Sequence, residues 1–174
     1  MKHKNVAVEL LKRLIQGKNR AFARKTIVQS KHFSELLEQA LLKYQNRIVE
    51  TAMIIQELIE VAKDITKAAE AGKESGLSED EYAFYEALSS NITAKEVMGI
   101  DVLKEIAKEL FAKIKNSTTV DWNIRETVRA KIRFEIKVLL KKYKYPPDDP
   151  LDPNNYDKSV KLIMEQTELV CENN

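Results

Sequence analysis

The residues best placed to do chemistry in this chain are five cations that recur at every fourth position. They are Arg125, Arg129, Arg133, Lys137 and Lys141. Because residues four apart lie on one side of an α-helix, this spacing predicts a positive band along a single helix. Such a band can hold the phosphates of a nucleic acid without reading its base sequence, or it can meet an acidic protein surface. The alternative is an ordinary solvated helix face.

Catalytic chemistry has little support elsewhere in the sequence. The chain lacks the G-x-x-x-x-G-K-[ST] phosphate loop and the G-x-G-x-x-G turn, and its two histidines, His3 and His32, form no H-E-x-x-H motif. Cys171 has no histidine close in sequence, which favours a bystander thiol over a nucleophile. We therefore predict no catalytic, cofactor-binding or metal-binding residue in this chain.

Two groups of acids look like candidate carboxylate sites, but each has a simpler explanation. Glu79, Asp80 and Glu81 would open a helix, where the helix dipole stabilises each acid by about 0.3–1 kcal/mol. Ser78 with Glu81 also matches the capping-box pattern. The aspartates between 148 and 157 lack the glycine and the closing glutamate of a calcium loop, so they predict no metal site.

Positive charge is concentrated in two blocks, although the formal net charge of the chain is only +2. Residues 1–31 hold nine Lys/Arg against one acid, and residues 121–144 hold eight against three. In the first block, the candidates for partner contact are Arg20, Arg24 and Lys25. The two blocks can bind an external acidic partner or pair with the acidic middle of the same chain.

The composition favours an all-α protein. The chain has 174 residues, of which 44% are hydrophobic and 32% charged, with four glycines and four prolines. It is rich in helix formers, and no stretch alternates polar and apolar residues as a strand would. No apolar run reaches the length of a transmembrane span, and a single cysteine favours a reducing, cytoplasmic setting.

The helical pattern predicts an elongated bundle that forms one domain over residues 1–174. A basic N-terminal helix or connection covers residues 1–32, and a helical core covers residues 33–145. A proline-rich connection follows at 146–156, and a final helix at 157–171.

Two long helices dominate the predicted core. Apolar residues with heptad spacing predict one helix over residues 34–71, about 57 Å long at 1.5 Å per residue. Either several helices line up against it, or it projects toward a partner. The second helix, at about 121–144, carries the cationic file and stops before Pro146 and Pro147, which lack the amide that a continuing helix needs.

The lead-in to this basic helix contains the one tryptophan of the chain, Trp122. This side chain can anchor a partner or pack against the helix entry, and we keep it as a candidate contact residue. Asp121 can pair with Arg125 four residues later, or cap the helix.

The most characteristic stretches are FSELLEQALLKYQNR (33–47), LSEDEYAFYEAL (77–88) and, above all, TVDWNIRETVRAKIRFEIKVLLKKYKYPPD (119–148). Together they resemble the C-terminal helical region of the R (restriction, motor) subunit of type I restriction enzymes. The resemblance extends from about Val8 to the last helix, and the D-W-x-x-R-E-x-V-R-A-K segment is its most specific part. Two features depart from the family: Lys144 stands where glycine is usual, and residues 149–156 are longer and richer in proline.

The resemblance implies that the parent protein is an ATP-dependent DNA translocase and endonuclease, with a nuclease domain and two helicase-like domains that use ATP and Mg²⁺. It implies that this chain is a non-catalytic C-terminal module, which docks the motor onto the methyltransferase core. The implied partners are the methyltransferase (modification) and specificity subunits and the motor domains of the parent chain, with no membrane.

Two further hypotheses stay open beside docking. In the first, the chain is a DNA-contacting clamp, in which Arg125, Arg129, Arg133, Lys137 and the basic block 18–31 hold duplex phosphates. In the second, it is a purely structural bundle that stabilises the motor.

Overall fold

The computed structural model of the chain describes residues 2–117 and 125–173, with side chains from Asn5 onward. This part of the chain forms eight α-helices and no strand, which confirms the predicted all-α fold class. The helices are α1 (Lys2–Ala23), α2 (Ile27–Gln45), α3 (Thr51–Glu74), α4 (Glu79–Ser89), α5 (Ile92–Met98), α6 (Ile100–Ser117), α7 (Glu126–Lys142) and α8 (Asn155–Asn173). None of these described helices is long and apolar enough to cross a membrane.

The helices fall into two compact units, Met1–Glu74 and Ser75–Asn174. Unit 1 contains α1 to α3, and unit 2 contains α4 to α8. The predicted basic segment 1–32 comprises α1 and the first residues of α2. The predicted final helix 157–171 corresponds to α8, which is two residues longer at each end. The grouping of all these helices into one domain stays a prediction.

The structure contradicts the prediction of a single helix over residues 34–71. α2 ends at Gln45, and α3 begins only at Thr51. The apolar heptad spacing continues across this break, because both helices turn an apolar face toward the same core. Periodicity alone therefore did not reveal the break.

A Schellman motif closes α2. The amide of Ile48 donates to the Lys43 carbonyl at 3.1 Å, and the amide of Arg47 donates to the Tyr44 carbonyl at 3.2 Å. Arg47 takes the left-handed backbone that this motif requires, with φ of 50°. Glycine usually occupies this position. An arginine there gives no stop signal, so the sequence does not predict the break.

Hydrogen bonds fix the directions of α1 and α2. Near the end of α1, the amide nitrogen Nδ2 of Asn19 donates to Ser34 Oγ in the first half of α2, at 2.8 Å. Near the end of α2, the Tyr44 hydroxyl donates to Asn5 Oδ1 in the first turns of α1, at 2.7 Å. The two helices therefore run antiparallel.

The third helix of unit 1 runs alongside α1 in the same direction. Lys43 Nζ near the end of α2 lies 2.7 Å from Glu57 Oε1 near the start of α3. Further along, Lys18 Nζ of α1 donates to Thr66 Oγ1 of α3 at 2.9 Å. All three helices surround one apolar core, made of Val8, Ile15, Phe33, Leu37, Ala40, Ile54, Leu58, Val61 and Ile65.

Unit 2 begins at the predicted capping box. The amide of Glu81 donates to Ser78 Oγ at 3.3 Å, and the amide of Ser78 donates to Glu81 Oε2 at 2.8 Å.

After α7, the buried hydroxyl of Tyr145 donates to the Leu88 carbonyl of α4 at 2.9 Å, and burial raises the pKa of Tyr145 to about 12. The core includes Phe84, Leu88, Leu103, Ile106, Leu110, Ile132, Ile136, Leu140 and Ile163.

The predicted basic helix 121–144 is helical over Glu126–Lys142. Arg125 is its N-cap residue, with an extended backbone at φ −96° and ψ 111°. Residues 121–124 lie outside the described part of the chain. Lys144 lies beyond the helix and takes a left-handed backbone with φ of 54°.

Candidate functional site

One side of α7 packs into unit 2 through Ile132, Ile136, Leu139 and Leu140, all buried. On the opposite side, two apolar side chains point to solvent: Phe134 is 66% exposed and Val138 is 46% exposed. Because residues four apart are neighbours on a helix surface, the two exposed side chains form one continuous apolar ridge. α7 therefore has apolar surface on two sides, and unit 2 covers only one of them.

Four cations frame this exposed pair. They are Lys131, Arg133, Lys137 and Lys141. All four are exposed, and none makes an ion pair or side-chain hydrogen bond with any residue that the structure describes. At about 100° per residue, Lys131 lies on one flank of the apolar pair, and Lys137 and Arg133 lie on the other. We call these four cations, with Phe134 and Val138, the α7 outer face.

The five-cation file of the sequence does not form one surface. Arg125 caps the helix instead of lying within it. Arg129 is half-buried and forms an ion pair with Glu168 of α8, so it joins two helices of unit 2. Arg133, Lys137 and Lys141 are the members that belong to the outer face.

The C-terminal end of α7 uses its polar groups within unit 2. Lys142 Nζ lies 2.9 Å and 3.0 Å from the two carboxylate oxygens of Glu109 on α6. The Tyr143 hydroxyl donates its proton to Glu109 Oε2 at 2.6 Å, and Glu105 Oε1 lies 3.0 Å from the same hydroxyl oxygen. The bonds from Tyr143 and Lys142 lower the pKa of Glu109, and the Glu109 carboxylate raises the pKa of Tyr143. These residues hold α7 against α6.

The remaining predicted contact residues lie elsewhere. Arg20 is exposed on α1 in unit 1. Arg24 and Lys25 follow in the turn between α1 and α2, where the Lys25 amide donates to the Phe22 carbonyl at 2.8 Å. Trp122 lies outside the described residues. Whether any of these residues contacts a partner stays a prediction.

Sequence reasoning did not select Lys131, Phe134 or Val138. The more regular apolar file of the sequence, which includes Ile132 and Ile136 at a spacing of four, is the buried one. A signal for the outer face was nevertheless present. Phe134 and Val138 form a second apolar pair at helical spacing, and cations surround it on both sides.

The described part of the chain was predicted to hold no metal site, and the side chains that could bind a metal are spread apart in it. It contains no group of three or more His, Cys, Asp or Glu side chains able to hold a metal ion. Burial, with the Asp80 carboxylate as a smaller cause, raises the pKa of Cys171 to about 11, so its thiol stays protonated at neutral pH. That this chain binds neither ATP nor Mg²⁺ stays a prediction, which rests on the lack of a phosphate loop in the sequence.

A family of known proteins accounts for the whole chain. The family model described as "Type I restriction enzyme HindI endonuclease subunit-like, C-terminal" matches residues 1–173. The chain belongs to this family. The resemblance seen in the sequence is thereby confirmed: the chain is a C-terminal part of a type I restriction enzyme endonuclease subunit.

Two curated relatives agree with this family. The chain is 35% identical over 169 residues to the type I restriction enzyme HindI endonuclease subunit of Haemophilus influenzae. The aligned residues make up 97% of the chain and 16% of that protein. The chain is also 35% identical over 145 residues to the MjaIXP endonuclease subunit of Methanocaldococcus jannaschii, covering 82% of the chain and 14% of the relative. The chain thus spans about a sixth of the length of these relatives. No solved structure matches it significantly.

Proposed function

We propose that this chain is a docking module, which attaches the motor of a type I restriction enzyme to its methyltransferase core through the α7 outer face. Membership of the endonuclease-subunit family supports a role within a multi-subunit enzyme. The observation that carries the proposal is the exposed pair Phe134 and Val138, framed by four cations that have no partner among the described residues.

The apolar pair favours a protein partner over DNA. Cations alone suffice to bind a phosphate backbone, so a contact with duplex phosphates does not require an exposed phenylalanine. In a protein interface, burying a phenylalanine contributes about 1.5–3 kcal/mol, and aromatic and arginine side chains are enriched at interface cores. The matching surface on the partner is an apolar patch bordered by Asp and Glu.

The catalytic work belongs to other parts of the parent enzyme in this proposal. ATP and Mg²⁺ act in the motor domains of the parent chain, which also carries the nuclease. The methyltransferase and specificity subunits are the proposed partners of this module. The lack of a phosphate loop in its sequence agrees with that division of labour.

The docking test measures binding of the purified 174-residue chain to the purified methyltransferase core. We expect binding at micromolar concentration and a loss of at least tenfold in affinity for Phe134→Ala. This side chain is 66% exposed, so the substitution leaves the fold intact. The matched control is Leu151→Ala, which removes a 95% exposed apolar side chain from a loop of the same unit. No detectable binding of the native chain at micromolar concentration would refute docking.

The DNA clamp is the second candidate, because Arg133, Lys137 and Lys141 still form a file of exposed cations. Phosphate binding would weaken steeply between low and moderate salt. Arg133→Glu with Lys137→Glu would reduce that salt slope, whereas Phe134→Ala would leave DNA affinity unchanged. If the chain shows no affinity for duplex DNA even at low salt, the clamp is wrong.

A further inference from the structure

Unit 1 has an apolar groove of its own, between α1 and α3. The two helices run side by side in the same direction, joined near one end by the bond from Lys18 Nζ to Thr66 Oγ1 at 2.9 Å. The groove has a volume of about 480 Å³. Its apolar floor is made of Leu11, Leu14, Ile59 and Ala62.

The apolar surface continues along α1 beyond this groove. Val6, Leu10 and Leu14 recur at every fourth position and are 55%, 61% and 49% exposed. The core of unit 1 uses a different side of α1, through the buried Val8 and Ile15. α1 thus carries two apolar sides in a unit of three helices, and only one of them is covered. A surface of this kind is typical of a site that binds a further helix.

The charges at the groove have a single sign. Lys18, Lys63 and Lys67 line it, and none of the described carboxylates does. Lys63 and Lys67 also pair with Glu60 and Asp64 one turn earlier on α3, at 3.0 and 3.6 Å. Those pairs are largely exposed, so they are weak and can exchange for a partner's carboxylates.

We propose that this α1–α3 groove binds an amphipathic helix of a protein partner, whose apolar stripe is flanked by Asp and Glu. The partner helix would lie along α1 and α3 as a fourth helix of the bundle. From Val6 to Lys18 the site spans thirteen residues, about 18 Å along the helix axis at a rise of 1.5 Å per residue, which suits a helix of three to four turns. The site lies in unit 1, so it stands independently of docking through α7.

The test uses a designed helical peptide of 18 residues with leucine at every third or fourth position and glutamate on both flanks. A twin peptide carries lysine in place of each glutamate. The native 174-residue chain is expected to bind the acidic peptide at least tenfold more tightly than the twin. In ¹H–¹⁵N spectra, the shifted amides are expected to fall in α1 and α3.

Two sets of variants locate the binding. Leu10→Gln with Leu14→Gln is expected to weaken binding of the acidic peptide at least tenfold. The control variant is Ile48→Gln, which changes a 69% exposed side chain of the same unit outside the groove. Its affinity for the acidic peptide is expected to stay within twofold of that of the native chain. The double variant Lys63→Gln with Lys67→Gln keeps the apolar floor. It is expected to reduce the ratio between the affinities for the acidic peptide and its lysine twin at least threefold. Circular dichroism confirms that each variant retains its helix content.

Three results would overturn the proposal. Equal binding of the two peptides would show that charge does not select the occupant. Unchanged binding by the Leu10/Leu14 double variant would place the peptide elsewhere. A native dimer in sedimentation that this variant converts to monomer would assign the groove to a second copy of the chain instead.

Discussion

Lys144 ends α7 in the way that Arg47 ends α2. The amide of Lys144 donates to the Lys141 carbonyl at 3.0 Å, and the amide of Tyr145 donates to the Leu140 carbonyl at 2.8 Å. Both bonds require the left-handed backbone at Lys144, with φ of 54°. A side chain with a Cβ atom pays about 1–2 kcal/mol for this conformation, whereas glycine adopts it without steric cost.

Replacing Lys144 with glycine should therefore stabilise the chain. Glycine removes the steric cost but loses more entropy on folding, so we expect Lys144→Gly to raise the free energy of unfolding by about 0.5–1 kcal/mol. Urea denaturation measures the change. In the control, Ala130→Gly, glycine replaces an exposed residue in the interior of α7 and should cost about 1 kcal/mol. A destabilised Lys144→Gly variant would show that the Lys144 side chain has a structural role that its backbone does not reveal.

At the scale of helices, Glu109 joins α6 to α7 through Tyr143 and Lys142. Their hydrogen bonds stabilise the ionised carboxylate and lower the pKa of Glu109 below its ordinary value of 4.5. In the unfolded chain this shift is lost. The stabilisation is therefore complete above about pH 5 and disappears as the pH falls through the lower pKa of the folded state.

Glu109→Gln should remove this pH-dependent contribution. The native chain should be more stable than the variant at pH 7, by less than about 1 kcal/mol because the side chains are partly exposed. The difference should shrink as the pH falls toward 3. Urea denaturation at several pH values provides the measurement, and Glu35→Gln, which changes an exposed acid in the middle of α2, is the control. A difference that stays constant with pH would contradict the assignment.

The helix boundaries show what a sequence pattern can and cannot predict. The capping box at Ser78 was predictable, because both of its bonds join residues three apart. The break after α2 was not, because the left-handed position holds Arg47 instead of the expected glycine. The general rule is that a local signal predicts a boundary only when the residue at the special backbone position is the common one.

The site follows the same logic. The cations of α7 were predictable from their spacing. The ion pair of Arg129 was not, because its partner Glu168 lies 39 residues away on another helix. The exposure of Phe134 depends on which side of α7 the rest of unit 2 covers. Only tertiary packing decides that, and spacing alone does not.

At the scale of the whole molecule, the described part of each compact unit has an apolar surface edged with cations. In unit 2 this surface is the α7 outer face, and in unit 1 it is the α1–α3 groove. The described residues contain no cluster of side chains that could bind a metal ion. Surfaces of this kind on a chain that spans about a sixth of its relatives' length suit a part that works within a larger assembly.

A docking module should act as a competitor of the enzyme from which it comes. Added in excess to the intact restriction enzyme, the 174-residue chain should occupy the docking sites on the methyltransferase core and inhibit ATP-dependent DNA cleavage. At a concentration tenfold above its dissociation constant, mass action predicts about 90% occupancy of empty docking sites. The endonuclease subunit already bound in the intact enzyme competes for these sites, so inhibition should require a larger excess of the chain. Phe134→Ala should need at least ten times more protein for the same inhibition, and Leu151→Ala should inhibit like the native chain.

Two control reactions separate competition from other effects. The chain incubated alone with ATP and DNA should hydrolyse no ATP and cut no DNA, because its sequence has no phosphate loop. Extra duplex DNA should not relieve the inhibition if the chain binds the core, whereas it should relieve an inhibition caused by DNA binding. If extra DNA abolishes the inhibition, the chain inhibits by binding the duplex that the enzyme needs. That result would favour the clamp.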